Sequence, residues 1–190
     1  MITELAILPL LRPLTPKTIS NLGIAKDVLD RASGFAFTYH LPHNHPDSSQ
    51  NLYLFGNWGT VAAHEQFLVS KENLELLELL NEEIRIGGIE MWHIEGDVLG
   101  WRHQIKAPAF GSCKVGAENR QKFAQEMEAF ECVGVFEGGW KIGEVDGDVA
   151  GVREWSGFWK DSRTQEIEEI VVGLGGTVVA ERLKVLDVDV

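Results

Sequence analysis

The apolar positions of this chain change period as the sequence proceeds, and the changes mark out its elements. "ELAILPLL" is a short apolar run ended by Pro13, the pattern of a buried strand. "TPKTISNLGIAKDVLDRAS" switches to helical spacing, with Ile19, Leu22, Ile24, Val28 and Leu29 recurring, Thr15 as N-cap and Pro16 at the first helical position, and Gly34 ends it. "FAFTYHL" then alternates, setting Phe35, Phe37 and Tyr39 on one face and Ala36, Thr38 and His40 on the other. After the loop "PHNHPDSSQ", "NLYLFGNW" is apolar on both faces, as a central strand would be. Thr60 can cap the run "VAAHEQFLVSKENLELLELLNEEI", with Phe67, Leu68, Leu74, Leu77 and Leu80 or their neighbours as its inward stripe and Ser70 to Asn73 as a break into two directions. "GGIEMWHIEGDVLGW" closes this half as a strand.

The second half follows the same order. "FGSCKV" is a weak strand, and "AENRQKFAQEMEAFECV" is a helix with Phe123, Met127 and Phe130 on one side. "GGWKIGEV" and "VREWSGFW" are strands joined by "DGDVAG"; "SRTQEIEEIVVGL" is a helix capped at Ser162, and "TVVAERLKVLDV" is the last strand. "LFGNWGTVAAHEQFL" lines up with "WSGFWKDSRTQEIEEI", each with a Gly two residues before a Trp, a short turn and an amphipathic helix, which makes Trp58 and Trp159 equivalent positions. The order predicts an α+β fold of two ferredoxin-like (βαββαβ) repeats, one over residues 1–104 and a divergent one over 105–190. A sheet with helices on only one face needs a cover for the other, and the second repeat's sheet is the expected one.

Composition narrows the function classes. The chain has 190 residues, 44% of them apolar, enough for a sizeable core. Seventeen Lys and Arg against 29 Asp and Glu leave a net charge of −12, which repels phosphate backbones and anionic membranes, so neither nucleic acid nor a membrane is an expected partner. No apolar stretch approaches the roughly 20 residues of a membrane span. The N-terminal run carries an acid, Glu4, and lacks both a basic flank and a small-residue cleavage site, so it reads as a strand and not a signal peptide. Cys113 and Cys132 have no metal-site spacing and read as buried free thiols of a cytoplasmic protein.

The stretch "NWGTVAAHEQFLVSKENLELLELL" resembles the antibiotic biosynthesis monooxygenase-like group of the dimeric α+β barrel superfamily, in which a strand ends in Trp and a helix reads Ala-His-x-x-Phe-Leu-x-Ser. The likeness is to the tandem form known from fungi, strong over residues 51–96 and weaker in the second half. It implies that the two repeats form an intramolecular pseudo-dimeric α+β barrel, a monomer that contains its own dimer interface, with further oligomerisation left open. It also implies an apolar pocket between sheet and helices. Trp58 falls on the family's strand-end Trp, and Trp159 on the same place in the second unit. The Asn that oxygenase and haem-degrading members carry on the first strand has no counterpart, and Phe67 and Leu68 stand where a haem-ligating His would be; no cofactor is expected.

Three histidines crowd the loop at 40, 43 and 45, but a first-row metal wants three or four ligands, and Pro42 and Pro46 impose an extended geometry that points successive side chains apart. A solvated hairpin connection is expected there, and no metal. His64, at a helix start six residues after Trp58, and Tyr39 are the candidates for proton transfer. Phe37, Trp58, Phe67, Trp92, His93 and Trp159 are the candidates for lining an aromatic pocket, against the plainer reading of each as core. The function expected is that of a cofactor-independent enzyme oxygenating, cyclising or isomerising a small aromatic or polyketide-like molecule. The alternative is a non-catalytic or stress-related module that binds a hydrophobic small molecule. A further possibility is that the second unit has lost its pocket, with Arg153 and Glu154 on its third strand as the hint.

Overall fold

The computed structural model describes residues 1–43, 51–99, 108–131, 136–142, 152–186 and 188. Among them are eight strands, paired antiparallel wherever a register is defined, and five α-helices, an α+β fold. The chain divides into two compact units, Met1–Trp92 with Lys184–Val190, and His93–Leu183.

In the first unit β1 (Ile2–Pro9) and β2 (Thr38–Pro42) flank the central strand β3 (Asn51–Trp58). The β1–β3 register runs from Ile2 opposite Trp58 to Pro9 opposite Asn51, which sets Glu4 opposite Gly56. Helix α1 (Pro16–Ser33) begins where the sequence places it. The Thr15 side chain accepts from the Thr18 backbone in a capping box, and Gly34 closes the helix at φ 78°. Its inward face is Thr18, Asn21, Leu22, Ala25 and Leu29.

The long helical run is broken at Val69, giving α2 (Val61–Leu68) and α3 (Lys71–Leu80). Ser70 caps the second piece by accepting from the Asn73 N–H, while the Asn73 side-chain amide donates back to Leu68 O at 2.9 Å, which joins the two pieces. The break resets the helical phase. Leu74 therefore points outward at 60% exposure instead of joining the inward stripe, and Asn73, Leu76 and Leu80 are the residues α3 buries.

The second unit carries β5 (Pro108–Gly116), α4 (Arg120–Glu131), β6 (Phe136–Ile142), β7 (Val152–Lys160), α5 (Thr164–Gly173) and, as far as Leu183, β8 (Thr177–Leu186), with strand order β8-β5-β7-β6. The His93–Ile94 end of β4 (Glu90–Glu95) pairs with Lys141 and Ile142 of β6. Phe123 and Met127 of α4 and Ile167 and Val171 of α5 pack onto Cys113, Trp155 and Trp159 in one core. Cys113 is a buried free thiol whose pKa burial pushes up to about 12; Cys132 lies outside the described residues. A 3₁₀ turn at Asp161–Arg163 precedes α5, so the cap position is Arg163, with no side-chain bond, and not Ser162. No helix among the described residues is long and apolar enough to cross a membrane.

Two glycines let large rings lie flat on the sheets: Phe37 occupies the space a Cβ on Gly56 would need, and Trp155 does the same over Gly138. Gly56→Ala is expected to destabilise the fold by about 1–3 kcal/mol, the usual cost of overpacking. Chemical denaturation of the variant measures this, and an unchanged midpoint would mean that Phe37 repacks freely.

Candidate functional site

The first unit holds a cavity of about 290 Å³ between its sheet and α3. Strand alternation decides its walls: Glu4, Ala6 and Leu8 point into it from β1, Tyr39 from β2 and Leu54 from β3. His64 and Phe67 enter from α2, and Asn73 and Leu76 from α3. The lining is mostly apolar, with Glu4, Tyr39, His64 and Asn73 as its polar groups.

Glu4 is the unexpected member. Gly56 stands directly opposite it, and Trp58 lies on the diagonal two residues along β3, within reach of a long side chain. Trp58 Nε1 donates to Glu4 Oε2 at 2.5 Å, and His64 Nε2 lies 3.3 Å from the same oxygen. Glu4 is 3% exposed, His64 2% and Trp58 1%. The His64 imidazole stacks on Trp58 with ring centroids 4.7 Å apart, and Phe67 packs on the same indole at 5.3 Å. Phe37 meets Trp58 edge-on at 5.9 Å. The indole is thereby fixed on several sides, with its one donor aimed at the carboxyl.

Burial dominates the electrostatics. It pushes the Glu4 carboxyl up to about 7, opposed in part by the Trp58 hydrogen bond. A carboxyl with that affinity is half-ionised at neutral pH and can take or give a proton there. Tyr39 is raised above the ordinary phenol value by burial first and then by the negative charges of Asp30 and Glu4, so it stays protonated and serves as a donor.

Of the residues the sequence put forward, the structure brings Tyr39, His64 and Phe67 to one cavity. Trp58 and Phe37 form the packing behind it, with Trp58 also bordering a second, larger space described below. Trp92 and His93 are half-buried on β4 and line neither cavity. Trp159 is buried in the core of the second unit, where its Nε1 donates to Thr164 Oγ1 at 2.9 Å. Trp159 faces Ala109 as Trp58 faces Ile2, which makes Gly111 the position corresponding to Glu4. The Trp159 ring lies over that glycine, where a side chain would otherwise stand. Glu154 of this unit is buried beside Lys141, 3.7 Å away, and the Arg153 side chain lies outside the described residues.

His40 is buried against the edge of Phe55, and its Nε2 bonds Thr38 Oγ1 at 3.1 Å. His45 lies outside the described residues, among which no group of three or more His, Cys, Asp and Glu is placed to hold a metal ion.

No family model and no curated protein matches the sequence. Solved structures do match, over nearly the whole chain. An anthrone oxidase-like protein aligns with 98% of this chain and 91% of its own, at TM-score 0.57 and 14% identity. A provisionally assigned monooxygenase from Lactobacillus acidophilus NCFM aligns with 98% of this chain and 99% of its own, at TM-score 0.55 and 11% identity. A provisionally assigned chlorite dismutase aligns with 99% and 96%, at TM-score 0.59 and 6% identity. At these identities the likeness establishes the fold and leaves the chemistry to the site.

The Glu4 carboxyl makes stability depend on pH. The folded protein holds this proton more tightly than the unfolded chain, so the contribution is complete below pH about 4.5 and is lost as pH rises through about 7. At about 1.4 kcal/mol per pKa unit, the loss is up to about 3 kcal/mol. Glu4→Gln keeps an acceptor for Trp58 and is expected to remove that loss, becoming more stable than the parent at pH 8 but not at pH 4.5. Urea denaturation at the two pH values checks this, and parallel curves would place the carboxyl's titration elsewhere.

Proposed function

We propose that this chain is a cofactor-independent, antibiotic biosynthesis monooxygenase-like enzyme. Its substrate would be a small aromatic or polyketide-like metabolite, oxygenated or else cyclised or isomerised in the first unit's cavity. The observation that carries the reading is the buried Glu4 carboxyl, its pKa raised by burial and its oxygen 3.3 Å from His64, in the wall of an apolar cavity that also holds a protonated phenol. The whole-chain likeness to an anthrone oxidase-like structure agrees with it. The reading includes two ferredoxin-like repeats closing a pseudo-dimeric barrel, with the second unit acting as structure and not as a second site.

In this reading the cavity admits a flat phenol or carbon acid and excludes water. Ionised Glu4, with His64 sharing the incoming proton, accepts a proton from the substrate, and the Tyr39 hydroxyl donates a hydrogen bond to the oxyanion that forms. In the oxygenating case the resulting anion is electron-rich enough to reduce dioxygen. A ring CH₂ becomes C=O, one oxygen atom enters the product, and the other leaves as water with both protons, so atoms and electrons balance without a further reductant. Cyclisation or isomerisation would use the same first proton transfer.

Titrating anthrones and naphthols against the protein, with Trp fluorescence reporting binding and absorbance reporting turnover, tests this. His64→Ala and Glu4→Gln are each expected to lower kcat by about 10²–10⁴-fold, the range for loss of a positioned acid or base. Turnover that follows ionisation of a group near pH 7 and loses that dependence in Glu4→Gln would support the mechanism. Binding without turnover, indifferent to both variants, would identify a carrier of hydrophobic molecules instead.

A further inference from the structure

A second cavity of the first unit, about 630 Å³, lies between α1 and the α2–α3 pair, and Phe67 and Leu76 belong to its wall as well as to the inner cavity's. Trp58 borders the outer space while His64, stacked on its ring, borders the inner one. The two spaces are therefore separated by little more than a layer of side chains, of which Phe67 and Leu76 are free of any polar tie. The α1 side of the outer groove is an apolar stripe at helical spacing, Ile24, Val28 and Ala32, with Ile24 half exposed although apolar. Leu79 faces it from α3, and the polar groups, among them Arg31 and Gln66, share its wall.

Size sharpens the point. At about 290 Å³ the inner cavity falls at the bottom of the roughly 300–1,000 Å³ range of pockets that enclose whole drug-sized ligands. It suits a compact aromatic head and little more. We propose that the outer groove is a second compartment of the same site, in which an aliphatic tail of the substrate lies along Ile24, Val28 and Ala32. The aromatic head reaches Glu4 and His64 past Phe67, and Phe67 limits how large that head can be. The substrate class is thus an alkyl- or acyl-bearing phenol with one or two fused rings. This rests on the proposed function, because the head is placed by the proton-exchanging pair.

Calorimetric titration with 2-naphthol and with 2-naphthols carrying alkyl chains of increasing length tests it, using the wild-type protein, Ala32→Phe and Phe67→Ala. Ala32 is exposed at the end of α1, so a phenyl ring there fills the groove without disturbing the core. The expected result is affinity rising about threefold to fourfold per added methylene in the wild type, the effect of burying one CH₂. That gain should vanish in Ala32→Phe while unsubstituted 2-naphthol binds as before, and Phe67→Ala should shift preference toward a three-ring anthrone. A flat chain-length series in the wild type, or a rising one in Ala32→Phe, would overturn the tail compartment and leave the proposed function standing. Failure of every naphthol to bind would remove the proposed function and this inference with it.

Discussion

Glu4 is a carboxyl in an otherwise apolar strand, 3% exposed, where ionisation costs about 3 kcal/mol relative to water on the usual conversion of a pKa shift. A buried group of that kind persists when neighbours supply hydrogen bonds, and the first unit is arranged to supply them. Gly56 stands opposite with the Phe37 ring over it, Trp58 donates its N–H, and His64 comes down from the first turns of α2 to the same oxygen. Trp58 can do this because Phe37, His64 and Phe67 hold its ring in place. The result is one titratable carboxyl facing an apolar cavity, set there by strand register.

The second unit shows what the same register does without the acid. Gly111 replaces Glu4, the Trp159 ring covers that glycine, and the indole N–H turns to Thr164. The indole that borders a cavity in the first unit is core in the second, together with Cys113, Phe123 and Trp155. The same register position thus holds a buried carboxyl beside an apolar cavity in the first unit and a glycine beneath a packed indole in the second.

Much of the architecture was legible because it rests on local signals. Thr15, Pro16 and Gly34 delimit α1, Thr60 and Ser70 start the two pieces of the next helix, and alternation assigns β2. Leu74 was misplaced because a break of one or two residues shifts helical phase, and the orientation of the second piece then depends on the Asn73 bonds across the junction. Ser162 was misplaced because a 3₁₀ turn intervenes before α5. His64 and Phe67 stand out in the sequence by following the strand-end Trp and Tyr39 by its place on an aromatic strand, whereas Glu4 sits in an apolar run with no recognisable motif around it. Its signal was present in the sequence: a lone acid in an apolar strand demands a buried donor. Choosing Trp58 as that donor needs the β1–β3 register, a non-local pairing over more than fifty residues.

Everything in the first unit's chemistry turns on Glu4 exchanging its proton near neutrality inside the fold. Carbon-13 NMR of protein labelled at the Glu side-chain carboxyl, titrated from pH 4 to 9 with Glu4→Gln to assign the resonance, measures it directly. One carboxyl is expected to titrate at about 7 and to be missing from the variant. A Glu4 resonance titrating with the exposed glutamates near 4.5 would contradict it.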